Sequence, residues 1–314
     1  VGYTGAGTRI AVIDTGIDTD HQSFSAAGLE YSLALQASKA NMSTEDYLAE
    51  LNLLDAEEIA EKVELLNIAP ILKEKGFSAE DLYLNTKIGF GFNYVDKSLD
   101  ITHDNDAMGE HGSHVEGISA ANAYIPQADG TFLNAYEKIK MQGVAPDAQI
   151  ITMKVFGKAG GAYASDYMAA IEDAILLDCG VVNLSLGSGN PGFTTSELYQ
   201  DVMDKLTETD TVVSVSAGNS GAWAENSYNG ELYADDVNFH TGGSPGAYAN
   251  AFTVASVDNA GMIGSTFRAA DRDVVYTETL YYNAALSSMD TSEDGAGTER
   301  EYIFLDKLGN PEDY

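Results

Sequence analysis

At 314 residues and 44% apolar content, the chain suffices for one large α/β domain, or for one domain and part of another. Its balance is very acidic, with 49 Asp and Glu against 16 Lys and Arg and a formal charge of −33. Such a surface repels phosphate backbones and anionic lipid, which argues against nucleic-acid and membrane-surface partners. Structural Ca²⁺ is compatible with so acidic a chain, although carboxylate abundance alone makes no site and no metal ligand set is read here. Cys179 is the single cysteine, so an intrachain disulfide is excluded. Within "AILLDCGVVNLSL" it reads as a packed apolar residue rather than a reactive one. No apolar run reaches the 18 residues of a membrane span. The chain opens at Val1 with neither Met nor a signal peptide, and so reads as a processed or excised piece.

In chain order, β-branched runs predict strands at "RIAVI" (9–13), "IGFGFNYV" (88–95), "QIITMKVF" (149–156), "GVVNLSL" (180–186), "TVVSVSA" (211–217) and "AFTVASV" (251–257). Helical patterns lie between them. The clearest is "ASDYMAAIEDAILLD" (164–178), with Met168, Ile171 and Ile175 on one face. Strands alternating with helices predict a mostly parallel sheet covered on both faces. Residues 41–84 are acidic and helix-periodic, with Ser43 and Asp46 in a capping arrangement, and read as a helical insertion after the first strand. From about residue 262 the pattern shifts to Tyr, Thr and Glu in short strands ("DVVYTETLYY", "REYIFLD"), the opening of another module.

"AVIDTGID" (11–18) admits two chemistries. An aspartic protease needs two such Asp loops sharing a proton, and the chain has one. A homodimer could supply the second, but such subunits are short and all-β, whereas strands and helices alternate here. A serine peptidase needs a His, an oxyanion donor and a nucleophile. "GEHGSHVEGISAANA" (109–123) offers His111 where a loop becomes a helix. "VNLSLGS" (182–188) places Ser-Leu-Gly at the carboxyl end of a buried strand, where α/β folds bind ligands. "VVSVSAGNSG" (212–221) ends another strand in a glycine turn carrying Asn219, whose amide can donate to a developing oxyanion.

With these motifs the sequence resembles the subtilisin-like serine peptidases (subtilases), and within them the lactocepin and streptococcal C5a-peptidase group. "KIGFGFNYVD", "HDNDAMGEHGSHVEGI", "GVAPDAQIITMKVF", "AAIEDAILL", "VVNLSLGS" and "SPGAYANAFTVASVDN" carry the likeness, from Val1 to about Asn259. The resemblance implies an α/β fold, a doubly wound, mostly parallel sheet with helices on both faces, over residues 1–261. It implies a serine endopeptidase acting on an extended protein or peptide substrate, secreted and attached to the cell wall or surface, with no cofactor required for chemistry. Asp14 would be the triad acid, His111 the general base and then acid, and Asn219 the oxyanion donor. Ser185, Leu186 and Gly187 would line the substrate channel, with Ser216, Ala217 and Gly218 forming the facing wall.

The family's Gly-Thr-Ser-Met-Ala nucleophile motif is missing. "GGSPG" (242–246) imitates a nucleophile elbow around Ser244, but that arrangement needs a later His and none follows His240. Ser244 therefore reads as a turn residue. "EYIFLDKLGNPEDY" resembles the start of the protease-associated (PA) domain that the group inserts between the oxyanion Asn and the Ser. Residues 262–314 would be its truncated beginning, and the nucleophile would lie in the remainder of the same polypeptide, leaving this segment inactive alone.

Other readings of single residues are blander. His111 and His114 have i, i+3 spacing, but the resemblance implies a structural His114 rather than a metal pair. His21 and His103 read as structural or surface residues. Glu116 stands where the family usually has Ala; a carboxylate there either raises the pKa of His111 or points to solvent. The glycines of "GYTGAGTRIAVI" precede their strand, the reverse of a dinucleotide site. The rival function is a pseudo-peptidase or peptide-binding module that uses the same groove without cutting.

Overall fold

Arg-Ile-Ala-Val-Ile-Asp forms β1 (Arg9–Asp14), and all six of its residues are buried. An apolar strand with no polar face needs cover on both sides, which a central position in a parallel sheet supplies. The computed structural model of the chain describes residues 2–187, 197–218, 243–248, 250–257, 266–269 and 272–275. It divides into two compact units, Val1–Ala255 and Ser256–Tyr314.

The first unit is built on a six-stranded sheet in the order β2-β5-β1-β6-β7-β8. Its other members are β2 (Ile88–Asn93), β5 (Gln149–Lys154), β6 (Val181–Leu184), β7 (Val212–Ser216) and β8 (Phe252–Val254), and each neighbouring pair is parallel. Five of them lie within the runs expected from the sequence, each shorter by a residue or more at one end or both, and β1 extends one residue past its run to Asp14. The register sets Val12 opposite Thr152 and Asp14 opposite Lys154.

Alternation of side chains divides the core. Ala11, Ile13, Phe90, Phe92, Ile151 and Met153 point to the face covered by α7 (Ala164–Leu176). Ile10, Val12, Ile88 and Ile150 point to the other face, under Val115 and Ala120 of α5 (His111–Ala120).

The insertion is helical, comprising α2 (Thr44–Ala49), α3 (Ala56–Lys62) and α4 (Ala69–Lys75). The Ser43 hydroxyl accepts from the Asp46 N–H at 3.1 Å and donates to the Asp46 carboxylate at 2.7 Å, as the capping pattern requires. Leu54, Ile59, Leu66, Ile68, Leu72 and Leu82 bury this segment in the α7-side core. Buried Arg9 clamps it to the sheet by donating to both Glu58 oxygens, to the backbone and side chain of Asn52, and to the Leu177 carbonyl.

Four further elements were not among the sequence expectations. They are α1 (Ala26–Ala40), the antiparallel pair of β3 (Tyr124–Pro126) with β4 (Phe132–Asn134), and the short α6 (Ala135–Ile139). Tyr31 of α1 stacks on Phe132 with ring centroids 4.0 Å apart. Helix α8 (Glu197–Leu206) completes the α7 side, where Val202, Met203 and Leu206 join the core. In the second unit, β9 (Thr266–Ala269) and β10 (Arg272–Val275) pair antiparallel. The expected strand "REYIFLD" lies outside the described residues. Among the described residues, no helix is long and apolar enough to cross a membrane.

Candidate active site

β1 ends at Asp14 and the chain turns away through Thr15 and Gly16. Gly16 has φ +108°, and a Cβ there would lie 2.2 Å from the Ile101 carbonyl oxygen, so only glycine fits the turn. Helix α5 begins directly above it. A Cβ on Gly112, its second residue, would lie 2.3 Å from the Gly16 carbonyl oxygen. The two glycines let the first turn of α5 rest on the end of β1.

Thr15 fastens that contact. Its hydroxyl donates to the Gly109 carbonyl at 3.0 Å and accepts from the Gly112 N–H at 2.8 Å. Ser113 adds a second tie, accepting from the Asp18 N–H and meeting His103 Nε2, each at 2.7 Å. Lys154, buried at the end of β5, donates to the Thr15 carbonyl and to Asp106.

Asp14 and His111, 97 residues apart in the chain, meet in this frame. His111 Nδ1 lies 2.7 Å from Asp14 Oδ1, which also accepts from the Thr15 N–H at 2.7 Å. The Asp14 side chain is 1% exposed and that of His111 50%. Burial pushes the Asp14 carboxyl above its ordinary value, and the His111 and Thr15 hydrogen bonds pull against that rise. A buried carboxylate bonded to Nδ1 fixes the imidazole and leaves Nε2 as the ring nitrogen that can take a proton from a nucleophile and return it to a leaving group.

The other expected site residues stand at the carboxyl ends of strands parallel to β1. Ser185, Leu186 and Gly187 leave β6, where Ser185 Oγ accepts from the Asn183 amide at 3.0 Å and Leu186 is buried. Ser216 ends β7, and its hydroxyl reaches the Leu186 carbonyl at 3.4 Å, joining the two expected walls. The Ala217 N–H donates to the Val254 carbonyl at 2.8 Å, and Gly218 turns the chain with φ +92°. Asn219 lies outside the described residues.

Ser244 sits in a turn and is buried, 7% exposed. His114 and His21 are exposed, and His103 serves the Ser113 tie. Glu116 does not point to solvent. It is 1% exposed and accepts from the Thr152 hydroxyl at 2.8 Å, because the helix that carries His111 outward turns residue 116 inward onto β5. Thr15, Asp106 and Lys154 were missed in the sequence. Thr15 stands inside the Asp-Thr-Gly motif and could have been found there; an isolated Lys and Asp carry no such signal.

A model of the subtilase peptidase family matches residues 5–296. The chain belongs to the subtilase family. Among its relatives is the PI-type proteinase of Lactococcus lactis subsp. cremoris, 30% identical over 266 residues, covering 83% of the chain and 12% of that protein. The PII-type proteinase of Lacticaseibacillus paracasei is 30% identical over 274 residues, covering 86% and 12%. The C5a peptidase of Streptococcus pyogenes serotype M6 is 29% identical over 257 residues, covering 80% and 18%. This subtilase thus spans under a fifth of the length of each of these relatives.

Proposed function

We propose that this subtilase segment supplies the acid and base of a serine endopeptidase that cleaves extracellular proteins through an acyl-enzyme. The observation that carries the reading is the 2.7 Å bond between buried Asp14 and half-exposed His111. In it, Asp14 orients the imidazole and stabilises its charged form, and His111 takes the proton of the attacking Ser. Asn219 donates to the oxyanion. An extended peptide pairs by its backbone with Ser185–Gly187 on one side and Ser216–Gly218 on the other. The nucleophile comes from the remainder of the same polypeptide, past a PA domain that begins at about residue 262. Secretion and a place at the cell surface accord with the acidic composition and with relatives named as proteinases and C5a peptidases.

The test is Asn219→Ala in the polypeptide extended to include the nucleophile. Its kcat should fall about 10²–10³-fold, the loss known for removing one oxyanion donor from subtilisin. Unchanged turnover would remove Asn219 from the machinery.

A further inference from the structure

Behind the Asp14–His111 pair lies a second carboxyl group. In β1 and β5 the register places Val12 opposite Thr152 and Asp14 opposite Lys154, all four facing the layer where α5 lies. Glu116 descends from α5 into this layer, five residues after His111, and is 1% exposed. Its Oε1 accepts from Thr152, while Oε2 has no partner among the described residues, and the same holds for Asp14 Oδ2. A carboxyl group held in an apolar layer by one hydroxyl is costly to bury as an ion. It is therefore poorly explained as a device for stability alone.

We propose that Glu116 is a positioning residue for the catalytic pair, a carboxyl group tied to Thr152 that stands behind Asp14 and sets the proton affinity of His111 through it. The charged groups around it come from every neighbouring element. Asp14 comes from β1. Lys87, just before β2, is buried with Nζ donating to the Pro146 and Ala148 carbonyls. Lys154 of β5 is already committed to Asp106 and the Thr15 carbonyl. Asp147, before β5, is buried and accepts from Gln36. His111 and exposed His114 share its helix.

Burial, reinforced by the charge of Asp14, pushes the Glu116 carboxyl well above its ordinary value, and Thr152 and Lys87 offset only part of that rise. The shift favours the neutral form of Glu116, in which Asp14 alone presents negative charge to the imidazole. When Glu116 ionises at higher pH, a second negative charge appears behind Asp14. His111 then holds its own proton more tightly.

The proposal rests on the peptidase reading only for its activity, and the first experiment does not use activity. His111 is titrated by NMR in the 314-residue chain, its ring signal assigned by loss in His111→Asn, for wild type, Glu116→Gln and Glu116→Ala. Glu116→Gln keeps the shape and the acceptor for Thr152 but cannot ionise. The wild-type curve should be broadened or two-stepped on its alkaline side, and Glu116→Gln should give a single simple inflection. Superimposable wild-type and Glu116→Gln curves would overturn the proposal. So would a change in Glu116→Ala alone, which would make Glu116 a packing anchor. In the extended polypeptide, kcat/KM against pH should lose the same alkaline feature in Glu116→Gln. An extended polypeptide with no peptidase activity whose His111 curve still responds to Glu116→Gln would end the peptidase reading and leave the coupling standing.

Discussion

Gly112 and Gly117 stand five residues apart on α5, and alanine substitution at each should act in opposite directions. A Cβ on Gly112 would lie 2.3 Å from the Gly16 carbonyl oxygen and 2.8 Å from the Gly16 nitrogen. Both are backbone atoms of the turn that follows Asp14, so no side chain can rotate away. The helix start must retreat by about 1 Å to restore van der Waals distance, at an overpacking cost of about 1–3 kcal/mol. Better helix propensity returns about 1 kcal/mol. A Cβ on Gly117 meets nothing within 4 Å, so Gly117→Ala should collect the propensity gain alone, about 0.5–1 kcal/mol. Thermal unfolding should then place Gly117→Ala roughly 1–2 °C above wild type and Gly112→Ala below it. The retreat also lengthens the Asp14–His111 bond. The downfield Nδ1 proton of His111 should shift or vanish in Gly112→Ala and persist in Gly117→Ala. A displacement of about 1 Å can cost about 10² in rate. A Gly112→Ala protein as stable as Gly117→Ala, with its dyad proton unmoved, would refute this account of how α5 is seated.

Two further substitutions probe how the insertion is held. Arg9→Ala leaves Glu58, Asn52 and the Leu177 carbonyl without their shared donor and should cost about 3–5 kcal/mol. Limited proteolysis should cut first within 41–84, and unaltered cutting there would dismiss the clamp. Asp173 accepts from the Asn67 backbone at 2.6 Å and from the Tyr94 hydroxyl at 2.9 Å, and burial raises its carboxyl from 3.8 to about 6. The unfolded chain gives up this proton at lower pH than the folded one. The stabilisation is therefore complete below about pH 4 and is lost as pH rises through 6, to a total of about 3 kcal/mol. Asp173→Asn should flatten unfolding free energy between pH 4 and 7, and an unchanged slope would contradict the assignment.

Most of the sheet could be read in the sequence, because β-branched runs such as "RIAVI" and "QIITMKVF" have no polar face and so demand burial on both sides. Asp14 and His111 were legible for a different reason. Gly16 follows Asp14 by two residues and Gly112 follows His111 directly, and the seating of α5 on the end of β1 needs both glycines, so the motifs record the turn as well as the chemistry. What the sequence hides depends on distant partners. The β3–β4 pair has three residues per strand, too few for a period, and one of its supports is a ring stack between Tyr31 and Phe132. Arg9, Lys87, Glu116 and Lys154 are charged residues that composition assigns to the surface. Each is buried because partners from elsewhere in the chain meet it, and spacing along the sequence contains no trace of those meetings.

The central claim is that Asp14 and His111 activate a serine nucleophile. The most direct measurement is fluorophosphonate labelling of the extended polypeptide, wild type beside His111→Ala, read by intact mass. One adduct on wild type and none on His111→Ala is the predicted result. Equal labelling of the two, or labelling of neither, would contradict it.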